Sequence, residues 1–166
     1  ILLMVSSMCH AQYSNHQLYE AYITRDMSVW EQYIDSADWD ELNTEQRKQL
    51  LNYEYGFSAY ILGIDTEKAN RLTQRLSSHL EAMKSELPEE RYCAYLASVY
   101  TYQLALNNGQ LMKYAKKIYS NIQHAMELNA NDPFVLSMQG NVEFYSPFGS
   151  KKTALAYYQK ADSLYG

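Results

Sequence analysis

The chain has 166 residues, enough for one domain or a short array of small repeats, and its 47% hydrophobic and 20% charged content excludes a disordered polymer. A formal net charge of −5 without any dense Lys/Arg stripe excludes a nucleic-acid surface; the pairs Lys116-Lys117 and Lys151-Lys152 fall among polar neighbours and read as solvated helix faces. With six Gly, three Pro and few β-branched residues beside much Leu, Ala, Gln, Glu, Lys and Met, the composition predicts helix throughout.

The opening stretch, ILLMVSSMCHAQ, has no acid and no fixed positive charge, and its apolar run gives way to small residues. This pattern resembles the back half of a secretory signal peptide, with Cys9 and Ala11 flanking a cut before Gln12. Residues 1–11 are therefore expected to be a signal remnant and 12–166 the mature domain, with a buried N-terminal strand as the alternative. Cys9 also raises lipidation after cleavage, although Met8 and Ser6 stand where a lipid box has a small and an aliphatic residue. After such a cut Cys93 is the one remaining cysteine, so no intramolecular disulfide is expected and its thiol reads as buried and inert. No stretch downstream is long and apolar enough to span a membrane.

Two short helices follow, over 15–24 and 27–36, with Ser28 and Glu31 at capping-box spacing. The acidic segment DSADWDE lacks the central Gly and the closing Glu of a calcium loop and reads as a connection. Asn43 and Gln46 predict a capped helix over 44–62. Gly63 breaks it, and Asp65 starts another to about residue 87, with Ala69, Leu72, Leu76, Leu80 and Met83 on one face. Pro88, Glu89 and Glu90 open a third long helix that ends at NNG, 107–109. A fourth carries Leu111, Ala115, Ile118, Ile122 and Ala125 in one stripe. Asp132 and Pro133 start the fifth, the turn SPFGS spans 146–150, and a sixth covers 151–165.

These helices alternate in kind. Those over 44–62 and 91–106 are apolar around a wide arc, as in YCAYLASVYTYQLAL, while the helices after them carry narrower stripes and more charge. A helix packed on several sides needs the wide arc, and an outer helix needs one face. Alternation on short turns points to stacked helical hairpins.

The last segment carries the spacing of a known repeat. Leu136 and Gly140 precede TALAYYQKADSLYG, in which Ala154, Tyr158 and Ala161 follow an A-x3-aromatic pattern with a later small residue. The chain here resembles the tetratricopeptide repeat (TPR) family. Gln139 and Glu143 stand in place of the expected Leu and Tyr, and the turn is longer than usual. Looser matches are Leu96, Ala97, Tyr100, Ala115, Tyr119 and Ile122 in the preceding pair, Tyr55, Gly56 and Ala69 before it, and Trp30, Ile34 and Ala37 at the start. The resemblance implies an all-α fold of TPR-like antiparallel hairpins, pairs at about 14–37, 44–87, 88–129 and 133–166, stacked into a short right-handed solenoid. It assigns close packing to Gly56, Ala69, Ala97, Ala115, Gly140, Ala154, Tyr158 and Ala161. Joined to the signal-like start, it is also similar in style to exported proteins of Bacteroidetes-type bacteria. Because Tyr157, Tyr158 and Leu164 offer no polar cap, the array is expected to continue past Gly166.

No HExxH, phosphate loop, GxGxxG or GxSxG occurs, and the four histidines are too scattered for a metal site. No catalytic residue, metal or cofactor is expected. Seventeen tyrosines are the unusual feature, and Tyr is enriched at binding surfaces. The resemblance implies a concave groove made by first helices, falling on Tyr53, Phe57 and Tyr60, on Arg91, Ser98, Thr101 and Tyr102, and on Phe134, Ser137, Asn141, Phe144 and Tyr145. Asn141 matches an Asn that holds peptide backbone or carboxylate in some relatives, but its partner Lys is a Ser here. The expected function is a non-catalytic scaffold of the periplasm or cell envelope of a Gram-negative bacterium, binding another protein or peptide. The alternative is a glycan-binding outer-membrane lipoprotein with embedded TPR helices, using Trp30 and Trp39 as sugar platforms.

Overall fold

A computed structural model describes residues 13–145 and 149–165, with the backbone alone of Asn108. The signal-like stretch 1–11, Gln12, residues 146–148 of the SPFGS turn and Gly166 lie outside the described residues. Among the described residues there are eight α-helices and no strand: α1 Asn15–Thr24, α2 Ser28–Ser36, α3 Thr44–Ile61, α4 Thr66–Ala82, α5 Glu89–Leu106, α6 Leu111–Leu128, α7 Pro133–Tyr145 and α8 Lys151–Tyr165. Short 3-10 turns occupy Trp39–Glu41 and Asn108–Gln110. No helix is long and apolar enough to cross a membrane.

The helix starts follow capping chemistry. Asn43 Oδ1 accepts from the Gln46 N–H at 3.0 Å, and the Asn43 N–H donates back to Gln46 Oε1 at 3.0 Å, the reciprocal box expected there. Asp65 accepts from the Lys68 N–H at 2.9 Å. The box expected at Ser28 does not form, because Met27 at the N-cap keeps helical angles and Ser28 turns its hydroxyl to Asp26. The same device appears one helix earlier, where Ser14 and Gln17 cap α1 reciprocally. Helix α4 stops at Ala82, short of residue 87. Turn bonds from the Glu86 and Leu87 N–H groups to the Met83 carbonyl, at 2.9 and 3.0 Å, redirect the chain before Pro88. A residue preceding proline resists helical angles, so the helix cannot run on to it.

The chain divides into two compact units, Ile1–Phe57 and Ser58–Gly166. In the first, Leu18, Ala21, Met27, Ile34, Leu50, Leu51 and Phe57 form the core. Each of the larger side chains, Ala21 aside, contributes roughly 1.5–3 kcal/mol through removal from water. Trp30 organises its rim. The indole Nε1–H donates to the Leu18 carbonyl at 2.7 Å, and the ring lies 5.8 Å from Tyr22 and 4.8 Å from Tyr53. Gly56 lies under this indole, where a Cβ would meet Cζ3 at 2.8 Å.

In the second unit α5 is packed against α4, α6 and α7, while α7 packs against α5, α6 and α8. That explains the wide apolar arc of α5, which buries Tyr92, Cys93, Ala94, Tyr95, Ala97, Val99 and Tyr102. Helix α6 needs one stripe and buries Ile118, Ile122 and Ala125. Of the small residues assigned to close packing, Ala69, Ala97, Gly140, Ala154 and Ala161 are buried, and Ala115 is half-buried. Gly140 makes a close helix-to-helix approach. A Cβ there would lie 2.6 Å from Tyr158 Cε1, and the Tyr158 hydroxyl, donating to Asn141 Oδ1 at 2.8 Å, holds the ring in place.

Gly140→Ala sets about 1–3 kcal/mol of overpacking against about 1 kcal/mol of gained helix propensity. We expect a net loss of about 1 kcal/mol in urea unfolding followed by circular dichroism. Combined with Tyr158→Leu, the loss is expected to be smaller than the sum of the two single changes, because the clash is gone.

Candidate functional site

The expected groove residues fall into three groups. Phe57 and Tyr102, placed on the groove from the resemblance, are 2% and 7% exposed and belong to the core. So little of either side chain is open to solvent that it offers a partner almost no surface to rest on. Tyr53 is half-buried, edge-on to Trp30 and to Tyr33 at 5.2 Å. Burial raises the pKa of its phenol against the opposing hydrogen bond from Gln49, and Tyr33 is raised by burial and by Tyr53 and Glu54. Tyr60 is exposed.

The third group comes together where α5 meets α7. Asp132 caps α7, its Oδ1 accepting from the Phe134 and Val135 N–H groups at 2.8 and 3.2 Å. Its other oxygen, Oδ2, accepts from Arg91 Nε at 2.7 Å. One carboxylate thus ends one helix and fastens it to the next. Burial pulls the Arg91 guanidinium down, but the hydrogen bond and charge of Asp132 outweigh this and hold its pKa above the usual value. One turn along, the Tyr95 and Phe134 rings lie 4.5 Å apart, and beyond them Ser98 Oγ lies 3.1 Å from Met138 Sδ.

The polar residues on this face are mostly committed. Thr101 Oγ1 donates to the Ala97 carbonyl at 2.9 Å, and Ser137 Oγ to the Pro133 carbonyl at 2.8 Å. Asn141 holds Tyr158. At the far end of α7, Phe144 and Tyr145 stay open, 43% and 73% exposed, with ring centroids 4.9 Å apart. Tyr95, Met138 and Asp132 were not on the expected face. Tyr95 could have been placed there, since it lies four residues after Arg91 and three before Ser98, and α-helical neighbours on one side recur at those steps. Asp132 was read as a cap alone, because nothing local shows which cation its second oxygen would meet.

Reactive groups are masked by their surroundings. Burial, followed by Glu89 and Glu90, pushes the Cys93 thiol up, which leaves little thiolate at neutral pH. The Tyr92 phenol, raised by burial and by its 2.7 Å hydrogen bond to Glu81, stays protonated. Among the described residues no group of three or more His, Cys, Asp or Glu could hold a metal ion.

Because Asp132 has two roles and Arg91 one, Asp132→Ala is expected to destabilise more than Arg91→Gln. Losing a charge-assisted hydrogen bond costs about 1–3 kcal/mol, and losing the cap adds about 0.5–2 kcal/mol. Urea midpoints for the two variants check this; equal losses would mean that the cap contributes nothing. No family model, curated protein or solved structure matches the chain.

Proposed function

We propose that the chain is a non-catalytic interaction scaffold of TPR-like hairpins, stacked into a short right-handed solenoid, that binds a protein or peptide segment. The observation that carries this reading is the meeting of α5 and α7 through Arg91–Asp132, Tyr95–Phe134 and Ser98–Met138. Side-by-side packing of the first helices of successive hairpins is what a continuous binding face requires. Along that face Ser98, Thr101, Phe134, Ser137 and Asn141 are half-buried, and Phe144 and Tyr145 project beyond them. Exposed aromatics beside half-buried, internally bonded polar groups suit an apolar or aromatic anchor on a partner segment. Export to the periplasm or envelope of a Gram-negative bacterium is supported by the sequence ILLMVSSMCHAQ. The glycan platforms of the alternative reading find less support. Trp30 is spent on Leu18, Tyr22 and Tyr53, and Trp39 lies under the Arg47 guanidinium at 5.3 Å.

A random peptide library displayed on phage and selected against the chain tests this directly. Selected peptides are expected to bind the Phe144→Ala/Tyr145→Ala variant about tenfold more weakly, with helicity by circular dichroism unchanged. Peptides that bind this double variant undiminished would contradict the assigned face.

A further inference from the structure

A second feature lies at the end of the second unit where α5 and α7 finish. The pairs Arg91–Asp132, Tyr95–Phe134 and Ser98–Met138 run in one direction along both helices, at a sequence offset of about 40 residues. Helices α5 and α7 are therefore parallel and level. Each is followed by an antiparallel neighbour. Glu89 meets His124 at 3.1 Å and Tyr100 lies 6.3 Å from Tyr114 across α5 and α6, and Tyr158 bonds Asn141 across α7 and α8. Helices α6 and α8, beginning at Leu111 and Lys151, keep the same offset, so their first turns stand at one end of the unit.

The basic pairs gather there. Lys113, Lys116 and Lys117 lie at three- and four-residue steps on one side of α6, and Lys151 and Lys152 open α8. Apolar side chains stand out beside them. Met112 is 83% exposed and one turn from Lys116; Leu155 is 55% exposed and one turn from both Lys151 and Lys152.

Helix chemistry does not account for these lysines. The positive end of the macrodipole favours acids, and α3, α4 and α5 begin with Glu45, with Glu67, and with Glu89 and Glu90. Helices α6 and α8 have no acid in the first turn, and like charges at these steps repel. No carboxylate relieves them. The sequence from Arg91 to Met126 contains no Asp or Glu. Lys113 donates to Gln110 Oε1 at 3.1 Å, Lys117 lies 4.5 Å over Tyr100 and Lys151 5.4 Å over Phe144. None of the five makes an ion pair among the described residues. The acids nearby are engaged: Glu143 accepts from the Ser150 N–H at 3.1 Å, Asp65 caps α4, and Glu67 is held by Arg71 at 2.7 Å.

We infer that this end of the second unit rests on an anionic lipid surface, with Met112 and Leu155 entering the acyl boundary and the five lysines meeting headgroup phosphates. A lysine stem lies along apolar surroundings while its ammonium stays among the headgroups. A specific acidic peptide motif is better met by guanidinium forks, whereas unpaired lysines around protruding apolar side chains suit a diffuse negative surface.

Cosedimentation with vesicles tests this. The chain is expected to pellet with vesicles of phosphatidylglycerol and phosphatidylcholine in equal parts, to stay in solution with phosphatidylcholine alone, and to be released as salt approaches about 1 M. The triple variant Lys113→Gln/Lys116→Gln/Lys117→Gln keeps good helix formers, so circular dichroism should be unchanged while binding falls about a hundredfold. Met112→Gln alters no charge and should weaken binding about tenfold. No pelleting with the mixed vesicles, equal pelleting with both kinds, or undiminished binding by both variants would overturn the inference. Capture of poly-glutamate without any vesicle binding would also overturn it, assigning the lysines to an acidic protein segment. These variants leave Phe144 and Tyr145 in place, and the peptide selection uses no lipid, so the two readings fail separately.

Discussion

One carboxylate, that of Asp132, joins the helices that carry the proposed interaction surface. At 8% exposure it would be an expensive charge to keep without compensation. It receives three hydrogen bonds: two from the open N–H groups at the start of α7 and one from Arg91 on α5. The helix N-terminus is itself electropositive, so the cap and the guanidinium act in the same sense. The end of α8 shares this neighbourhood. The Tyr165 phenol is raised by burial and by Asp132, and Arg91 opposes that rise. Remove the carboxylate, and α7 loses both its start and its fastening to α5.

From this joint the rest of the second unit follows by packing. Fixing α7 beside α5 brings Tyr95 onto Phe134 and Ser98 onto Met138, and leaves α7 to receive α8 on another side. There the approach is set by Gly140, since any larger residue would strike the Tyr158 ring. A polar fastening at one end and a small-residue contact at the middle together define where α7 lies. They also leave its last turn, with Phe144 and Tyr145, open to solvent.

Much of this was readable from residues alone because helix boundaries are local chemistry. Asn43 with Gln46, Asp65, and Asp132 with Pro133 each mark a start through bonds to their nearest neighbours. The misreading at Ser28 has the same local origin. A capping side chain works from an extended backbone, which Ser14 has and Met27 does not. What periodicity could not reveal is which side of a wide-arc helix stays uncovered. Helix α5 is apolar nearly all round, so Tyr102 and Ser98 look alike in sequence; its neighbours α4, α6 and α7 bury the former and leave the latter half open.

The functional account depends on α5 and α7 lying side by side in register, since a shift of one turn would separate Arg91 from Asp132 and break the surface between them. The Tyr95–Phe134 contact reports that register without relying on either charged group. In a sample with selectively labelled aromatic rings, NOE spectra should contain strong cross-peaks between the Tyr95 and Phe134 ring protons, whose centroids are 4.5 Å apart. Absence of those cross-peaks from a folded, fully assigned sample would contradict the packing on which the proposed surface is built.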